Sequence, residues 1–285
     1  MTAHPLRATI GREVVLEGVG LHLGHPCQLT FRPAPSGSGR VFVRTDLAGR
    51  PTIPAHASVA VSAERRTQLG SGAESLHTVE HVLSAVAGEE IDDIIIEMDA
   101  PEPPVLDGSA SVFVEALRGA GRVEYPELPD WLIVTEPFRV EYGDSVYEAF
   151  PAEVLELEVV VDFPHPLIGR QELRLAVTPE SFGAELAAAR TFGFLHEVDA
   201  LQKKGLIRGA STKNAVVLGP DGVVDNVLRW PDEFVRHKAM DCVGDLALAG
   251  ARLRARVRAL RPSHSGTVSF VRALLARESS SVQAD

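Results

Sequence analysis

The sequence predicts an α+β fold of two similar halves, each a mixed or antiparallel sheet layered with helices. Three observations carry this expectation. Short alternating or apolar runs, bounded by glycine and proline, occur in both halves. Each half then runs into an amphipathic helix. The same order of elements repeats across a compositional break at Pro126–Asp130. The halves are therefore expected to span residues 1–126 and 127–285.

Taken in order, residues 8–50 hold two strand-like runs on either side of a glycine-rich turn at Gly18–Gly24. A helix is expected over Leu76–Gly88, with Ser75 as N-cap and Gly88 as stop. Val79, Val82, Leu83 and Val86 form its apolar face. Asp92–Met98 reads as a buried strand, 100–110 as a proline-rich loop, and 111–121 as a helix ending in glycine. The second half offers strands within 131–163, of which 154–163 is the clearest. A helix follows over Pro179–Arg190, capped by Thr178. Residues 190–206 read as an insert carrying a short helix that stops at Gly205. A strand at 215–218, a long helix over Glu233–Gly250, a strand at 252–258 and a helix at 267–277 complete the chain, with a frayed tail from 277.

With 285 residues, 45% hydrophobic and 24% charged, the chain has the composition of a globular protein able to bury a core without disulfides. Its two cysteines, Cys27 and Cys242, lie far apart, which suits a reducing, cytoplasmic setting. The N-terminal residues lack the apolar run of a signal peptide, and no stretch approaches the roughly 20 apolar residues of a membrane span. A formal net charge of −11 argues against general nucleic-acid binding, and an anionic small-molecule substrate would need a local cluster of Lys or Arg working against that field.

Two helical motifs could carry chemistry. His77 and His81, one turn apart with Glu80 between them, make the H-x-x-E-H pattern of inverted zinc peptidases. The bland alternative is a helix end with two incidental histidines. On the long second-half helix, His237, Asp241 and Asp245 form a stripe beside the apolar one, with Lys238 adjacent. That stripe could equally be a solvated face. Together the motifs offer three ligands, which leaves a fourth position open as catalytic zinc requires. His264, on a polar loop, could act as a general acid near neutral pH. Arg190–Phe194, with two aromatics around a glycine, could as well be core.

These residues carry a resemblance that covers about residues 8–277. GVGLHLG (18–24), TVEHVLSAVAG (78–88), IDDIIIEMDAPEPPVLDGSA (91–110), DFPHPLIGRQ (162–171), RTFGF (190–194) and DEFVRHKAMDCVGDL (232–246) resemble the UDP-3-O-acyl-N-acetylglucosamine deacetylase family of lipid A biosynthesis in Gram-negative bacteria. The resemblance implies an active site at the interface between the two α+β domains, with Zn2+ held by His81, His237 and Asp241. It implies Glu80 as general base, His264 as the acid that protonates the leaving amine, and Asp245 as its orienting partner. Thr191 would stabilise the oxyanion, and Lys238 would contact substrate. An insert here spanning about Phe192–Gly209, including Phe192 and Phe194, would form an acyl-chain passage. The expected protein is a cytoplasmic monomer acting on a nucleotide-sugar lipid.

Some positions depart from the family pattern. His77 stands where serine is common, and Leu23 replaces a serine. His264 lacks its flanking glycine, and Arg65-Arg66-Thr67-Gln68 replaces a cysteine-containing segment. Two rival readings follow: a zinc peptidase that uses His77, and an inactive paralogue that only binds the lipid.

Overall fold

The computed structural model describes residues 6–282, with side chains described as far as residue 277; the last three residues of the expected tail lie outside it. Two large sheets dominate. The first orders its strands as Val14–Val19, Pro26–Pro33, Ile94–Met98, Arg40–Arg44 and Thr52–Pro54. The second orders Phe138–Tyr142, Ser145–Phe150, Arg252–Leu260, Leu155–Phe163 and Gly169–Ala176, with Trp131–Ile133 joined to Arg252–Leu260. In both, the last strand in sequence enters at the centre. It runs antiparallel to the second strand and parallel to the third. The α+β expectation thus holds, and the same topology recurs in each half of the chain.

Alternation explains the strands. In Leu155–Phe163, Leu157, Val159 and Val161 face the core, while Glu156 and Glu158 point outward. Glu158 meets Arg258 on the neighbouring strand at 2.9 Å, and Glu156 meets Arg174 at 3.3 Å. Such exposed pairs contribute only about 0.2–1 kcal/mol each, so the buried aliphatic face dominates.

Five helices are used below: α1 (Glu80–Gly88), α2 (Ser111–Ala120), α3 (Val198–Lys203), α4 (Glu233–Leu246) and α5 (His264–Val282). Helix α1 starts later than the sequence pattern suggested. Leu76–His77 is instead a short strand paired with Gln68–Leu69. Thr78, at φ 56°, lies in the left-handed region, where a helix cannot continue. Its hydroxyl donates to the buried Glu102 carboxylate at 2.6 Å, which holds that conformation. Val79, not Ser75, therefore precedes the first turn.

Thr178 caps its helix as expected, through a reciprocal box with Ser181. That helix is only Pro179–Ser181, and it widens into a π-type turn over Phe182–Leu186 rather than reaching Arg190. Helix α4 ends at Leu246, followed by a tighter turn and Gly250 in the left-handed region (φ 74°). Helix α5 begins at His264 itself, so this histidine opens a helix instead of lying within a loop.

Helices α1 and α4 pack directly on each other. Gly244 is what allows this. A Cβ there would lie 2.0 Å from the Glu80 carbonyl oxygen and 3.1 Å from Ser84 N. The crossing lies within the buried core, to which α1 contributes Val82, Leu83 and Val86 and α4 contributes Val235, Ala239 and Val243. It also presses the polar stripe of one helix onto that of the other.

Candidate active site

The α1–α4 crossing brings His81, His237 and Asp241 together. One ligand atom from each lies within 4.8 Å of the others, and all three residues are buried. The solvated-face alternative for α4 is therefore excluded: Asp241 and Asp245 are 3% and 1% exposed. His81 Nε2 stands 3.5 Å from Asp241 Oδ1, and His237 Nε2 stands 3.4 Å from Asp241 Oδ2. The two imidazoles meet edge to face, 5.2 Å between ring centres.

This group has the donor chemistry of a divalent-metal site. His237 donates from Nδ1 to the Ala189 carbonyl at 3.2 Å, which leaves the Nε2 lone pair facing inward. Burial holds His237 neutral, with its pKa lowered to about 3. Burial opposes ionisation of Asp241, but neighbouring positive charge, Lys238 above all, outweighs it and keeps the carboxylate charged. Asp241 Oδ1 is buried with no hydrogen-bond partner, an orphaned acceptor that a cation would satisfy. Two imidazole nitrogens and a carboxylate suit zinc and also other first-row ions.

Glu80 and His264 flank this group. His264 Nδ1 donates to Asp245 Oδ2 at 2.9 Å, and its Nε2 faces Glu80 Oε1 at 3.7 Å and Asp241 Oδ2 at 3.9 Å. Burial raises the pKa of Glu80, offset in part by His264 and His81. Burial also opposes charge on His264, but the Asp245 and Glu80 carboxylates outweigh it and raise its pKa to about 9. Lys238 Nζ donates to Asp241 Oδ2 at 2.9 Å.

Glu80, His81, His237, Lys238, Asp241 and His264 line a cavity of about 820 Å³, with Asp245 behind His264. Thr191, Phe192 and Phe194 line it as well. They are positioned by a buried ion pair: Arg190 Nε donates to Glu233 Oε1 at 2.8 Å, at the first turn of α4. The strand Phe192–Phe194 then pairs in parallel with Val216–Leu218. Phe192 stacks edge-on against Phe163 (5.6 Å) and lies 5.9 Å from the His237 ring, which joins the apolar wall to the polar end. Residues Leu195, Val198 and Leu201 of the insert continue that wall.

Every site residue expected from the sequence thus lies at this cavity or directly behind it. His77 does not join the group. Its strand turns it away from the face of α1, and Ser75 Oγ sits 3.2 Å from its Nε2. The H-x-x-E-H helix pattern fails because Thr78 interrupts the helix it requires. His77→Ala is accordingly expected to leave the metal content of purified, zinc-loaded protein unchanged; loss of the metal would restore His77 as a ligand.

Three contributors escaped the sequence reading. Thr67 donates its amide to Glu80 Oε2 (3.0 Å) and its hydroxyl to Asp245 Oδ1 (2.5 Å). Glu102 accepts the His22 and Leu23 amides (2.9 and 2.7 Å) and so holds the turn at the cavity mouth. Glu233 anchors Arg190 and thereby the strand that carries Thr191. A lone threonine in a polar segment and two acids among many have no periodic signature. Both acids nonetheless lie inside segments noted for their resemblance, Glu102 in 91–110 and Glu233 in 232–246.

A buried His/His/Asp group that could hold a metal ion, beside a carboxylate and an imidazole–carboxylate pair, fits the class of metal-dependent enzymes. The comparisons narrow this. The family model described as UDP-3-O-acyl N-acetylglycosamine deacetylase (LpxC) matches residues 7–276, and the chain belongs to that family. Relatives named UDP-3-O-acyl-N-acetylglucosamine deacetylase include one from Bdellovibrio bacteriovorus, 42% identical over 94% of this chain and 89% of the relative. Another, from Geobacter sp., is 42% identical over 94% of this chain and 88% of the relative. A third, from Nostoc sp., is 41% identical over 94% and 98%.

Proposed function

We propose that this protein hydrolyses the acetamide of UDP-3-O-acyl-N-acetylglucosamine to the free amine and acetate, a step of lipid A biosynthesis, and that its metal is zinc. The reading is carried by one observation: in a chain of the deacetylase family, His81, His237 and Asp241 converge within 4.8 Å of one another beside Glu80. Zinc held by these three would supply a Lewis acid that polarises the acetamide carbonyl and lowers the pKa of water.

The chain's own residues do the rest. Glu80 takes the proton of the attacking water, and its burial makes it a stronger base than a solvated carboxylate. The Thr191 hydroxyl donates to the oxyanion that develops on the carbonyl oxygen. His264, held as imidazolium by Asp245, delivers a proton from Nε2 to the nitrogen as the C–N bond breaks. Lys238 offers its remaining N–H donors to the substrate beside Asp241. The cavity wall of Phe192, Phe194 and the insert up to Gly209 takes the acyl chain, whose burial stabilises binding by about 0.8 kcal/mol per methylene.

We place the division between halves at residues 126 and 127, so that α1 supplies base and one ligand while α4 and α5 supply two ligands and the acid. The protein works as a monomer in the cytoplasm, and no helix among the described residues is long and apolar enough to cross a membrane.

The active form needs Glu80 ionised and His264 protonated. Activity therefore rises with pH as Glu80 loses its proton and falls as His264 loses its own, which gives a bell-shaped profile of kcat/KM. A flat profile between about pH 5 and about pH 9 would overturn the base and acid assignments. The reading as a whole is tested by metal analysis together with steady-state acetate release from UDP-3-O-acyl-N-acetylglucosamine. Zinc-dependent release is expected; zinc-loaded protein that does not turn over would instead support the inactive paralogue.

A further inference from the structure

We propose that Thr67 is a positioning residue that locks the base and the acid's partner into one geometry, an inference that rests on the reading of Glu80 and His264 above. The short ladder between Gln68–Leu69 and Leu76–His77, with Gln68 opposite His77, sets Thr67 alongside the start of α1. There it is 2% exposed and reaches both carboxylates at once. Its amide donates to Glu80 Oε2 at 3.0 Å, and its hydroxyl donates to Asp245 Oδ1 at 2.5 Å. Each carboxylate thereby commits one oxygen to Thr67 and keeps the other for His264. Asp245 Oδ2 accepts from His264 Nδ1 at 2.9 Å, while Glu80 Oε1 faces His264 Nε2 at 3.7 Å. The result is a closed ring: Thr67, Asp245, His264, Glu80.

The ring matters because Asp245 is buried and could otherwise turn about its last torsion. The Thr67 hydroxyl fixes the carboxylate plane, and the carboxylate plane fixes the imidazole. Without the hydroxyl, Asp245 Oδ1 has lost its donor where no water reaches it readily, and the carboxylate would rotate toward another donor. Thr67 is not among the residues that line the cavity, so it acts only through its partners.

The test compares Thr67→Val, which keeps the shape and removes the hydroxyl, with Thr67→Ser, which keeps the hydroxyl. Thr67→Ala serves as a second hydroxyl-free variant should valine impair folding. At full zinc occupancy, Thr67→Val and Thr67→Ala are expected to lower kcat about 10- to 100-fold, the size seen for residues that orient catalytic groups. KM should stay within about threefold, because the lost interaction serves the transition state and not binding. Thr67→Ser should restore kcat to within about threefold of wild type.

A second readout is independent of turnover. In 15N-histidine-labelled, metal-free protein, the Nδ1–H resonance of His264 should move in the valine and alanine variants and stay in place in the serine variant. Wild-type kcat in Thr67→Val, or equal impairment in Thr67→Ser, would overturn the inference. Absence of turnover in zinc-loaded wild type would overturn the functional reading, while the resonance comparison would still decide whether Thr67 holds His264.

Discussion

Glu80→Gln is expected to lower kcat by about 10²- to 10⁴-fold, the range attributable to a positioned general base, with zinc content and melting temperature unchanged. The substitution is nearly isosteric, which matters at a site that is 2% exposed. The glutamine oxygen still accepts the Thr67 amide, now 3.0 Å from Oε2, so the side chain keeps its place. What it loses is the lone pair that takes a proton from water, together with the negative charge that faces His264 at 3.7 Å. With that charge gone, His264 holds its proton less tightly, so the alkaline limb of the pH profile should move to lower pH. Metal analysis and steady-state kinetics on the same preparation decide the matter. A kcat within about threefold of wild type, with zinc bound, would remove Glu80 from the base role.

The second large effect is on the metal itself. His237→Ala is expected to reduce bound zinc from about one equivalent to below about one-tenth, with turnover falling in proportion, since two remaining ligands hold zinc poorly. The structural cost should be small by comparison. Burial keeps His237 neutral, so no charge is stranded when it is removed, although Phe192 loses a packing partner 5.9 Å away.

Thermal denaturation separates metal binding from folding. A ligand that binds only the folded state stabilises it by about 2.7 kcal/mol at a hundredfold excess over Kd, so zinc should raise the melting temperature of wild type. The His237→Ala variant should melt at the same temperature with and without zinc. A variant that keeps stoichiometric zinc would show that the ligand set lies elsewhere. His77→Ala, made in parallel, should behave like wild type in both measurements.

Much of the site was legible from spacing. His237, Asp241 and Asp245 recur at one-turn intervals beside an independent apolar stripe, and both stripes are buried on α4. The stripe of Val79, Val82, Leu83 and Val86 located the first helix, though its start was misread. Leu76 and Val79 belong to an apolar rhythm that a helix and a strand–turn–helix serve equally well. Thr78 takes the second course because Glu102, 24 residues later, draws its hydroxyl into a buried hydrogen bond. The helix over Pro179–Arg190 failed for a related reason. Its cap was encoded locally in Thr178 and Ser181, but its continuation was overruled when Arg190 was drawn onto Glu233 at the head of α4.

Local sequence thus determined which residue types sit at helical and strand intervals, where turns interrupt them, and which side chains could ligate a metal or move a proton. These depend on periodicity and on neighbours a few positions apart. Spacing left His77 and His81 both open; the resemblance pointed to His81, and the tertiary structure gives the physical reason that His81 and not His77 meets His237 and Asp241. It also set His264 at the head of α5, facing Asp245, and made Thr67 the link between base and acid. Those outcomes depend on contacts spanning many residues: Gly244 against the Glu80 carbonyl, Gln68 opposite His77, and Thr67 reaching Asp245. No helical or strand period encodes them, and the Gly244 and Thr67 contacts exist only once α1 and α4 have been brought together.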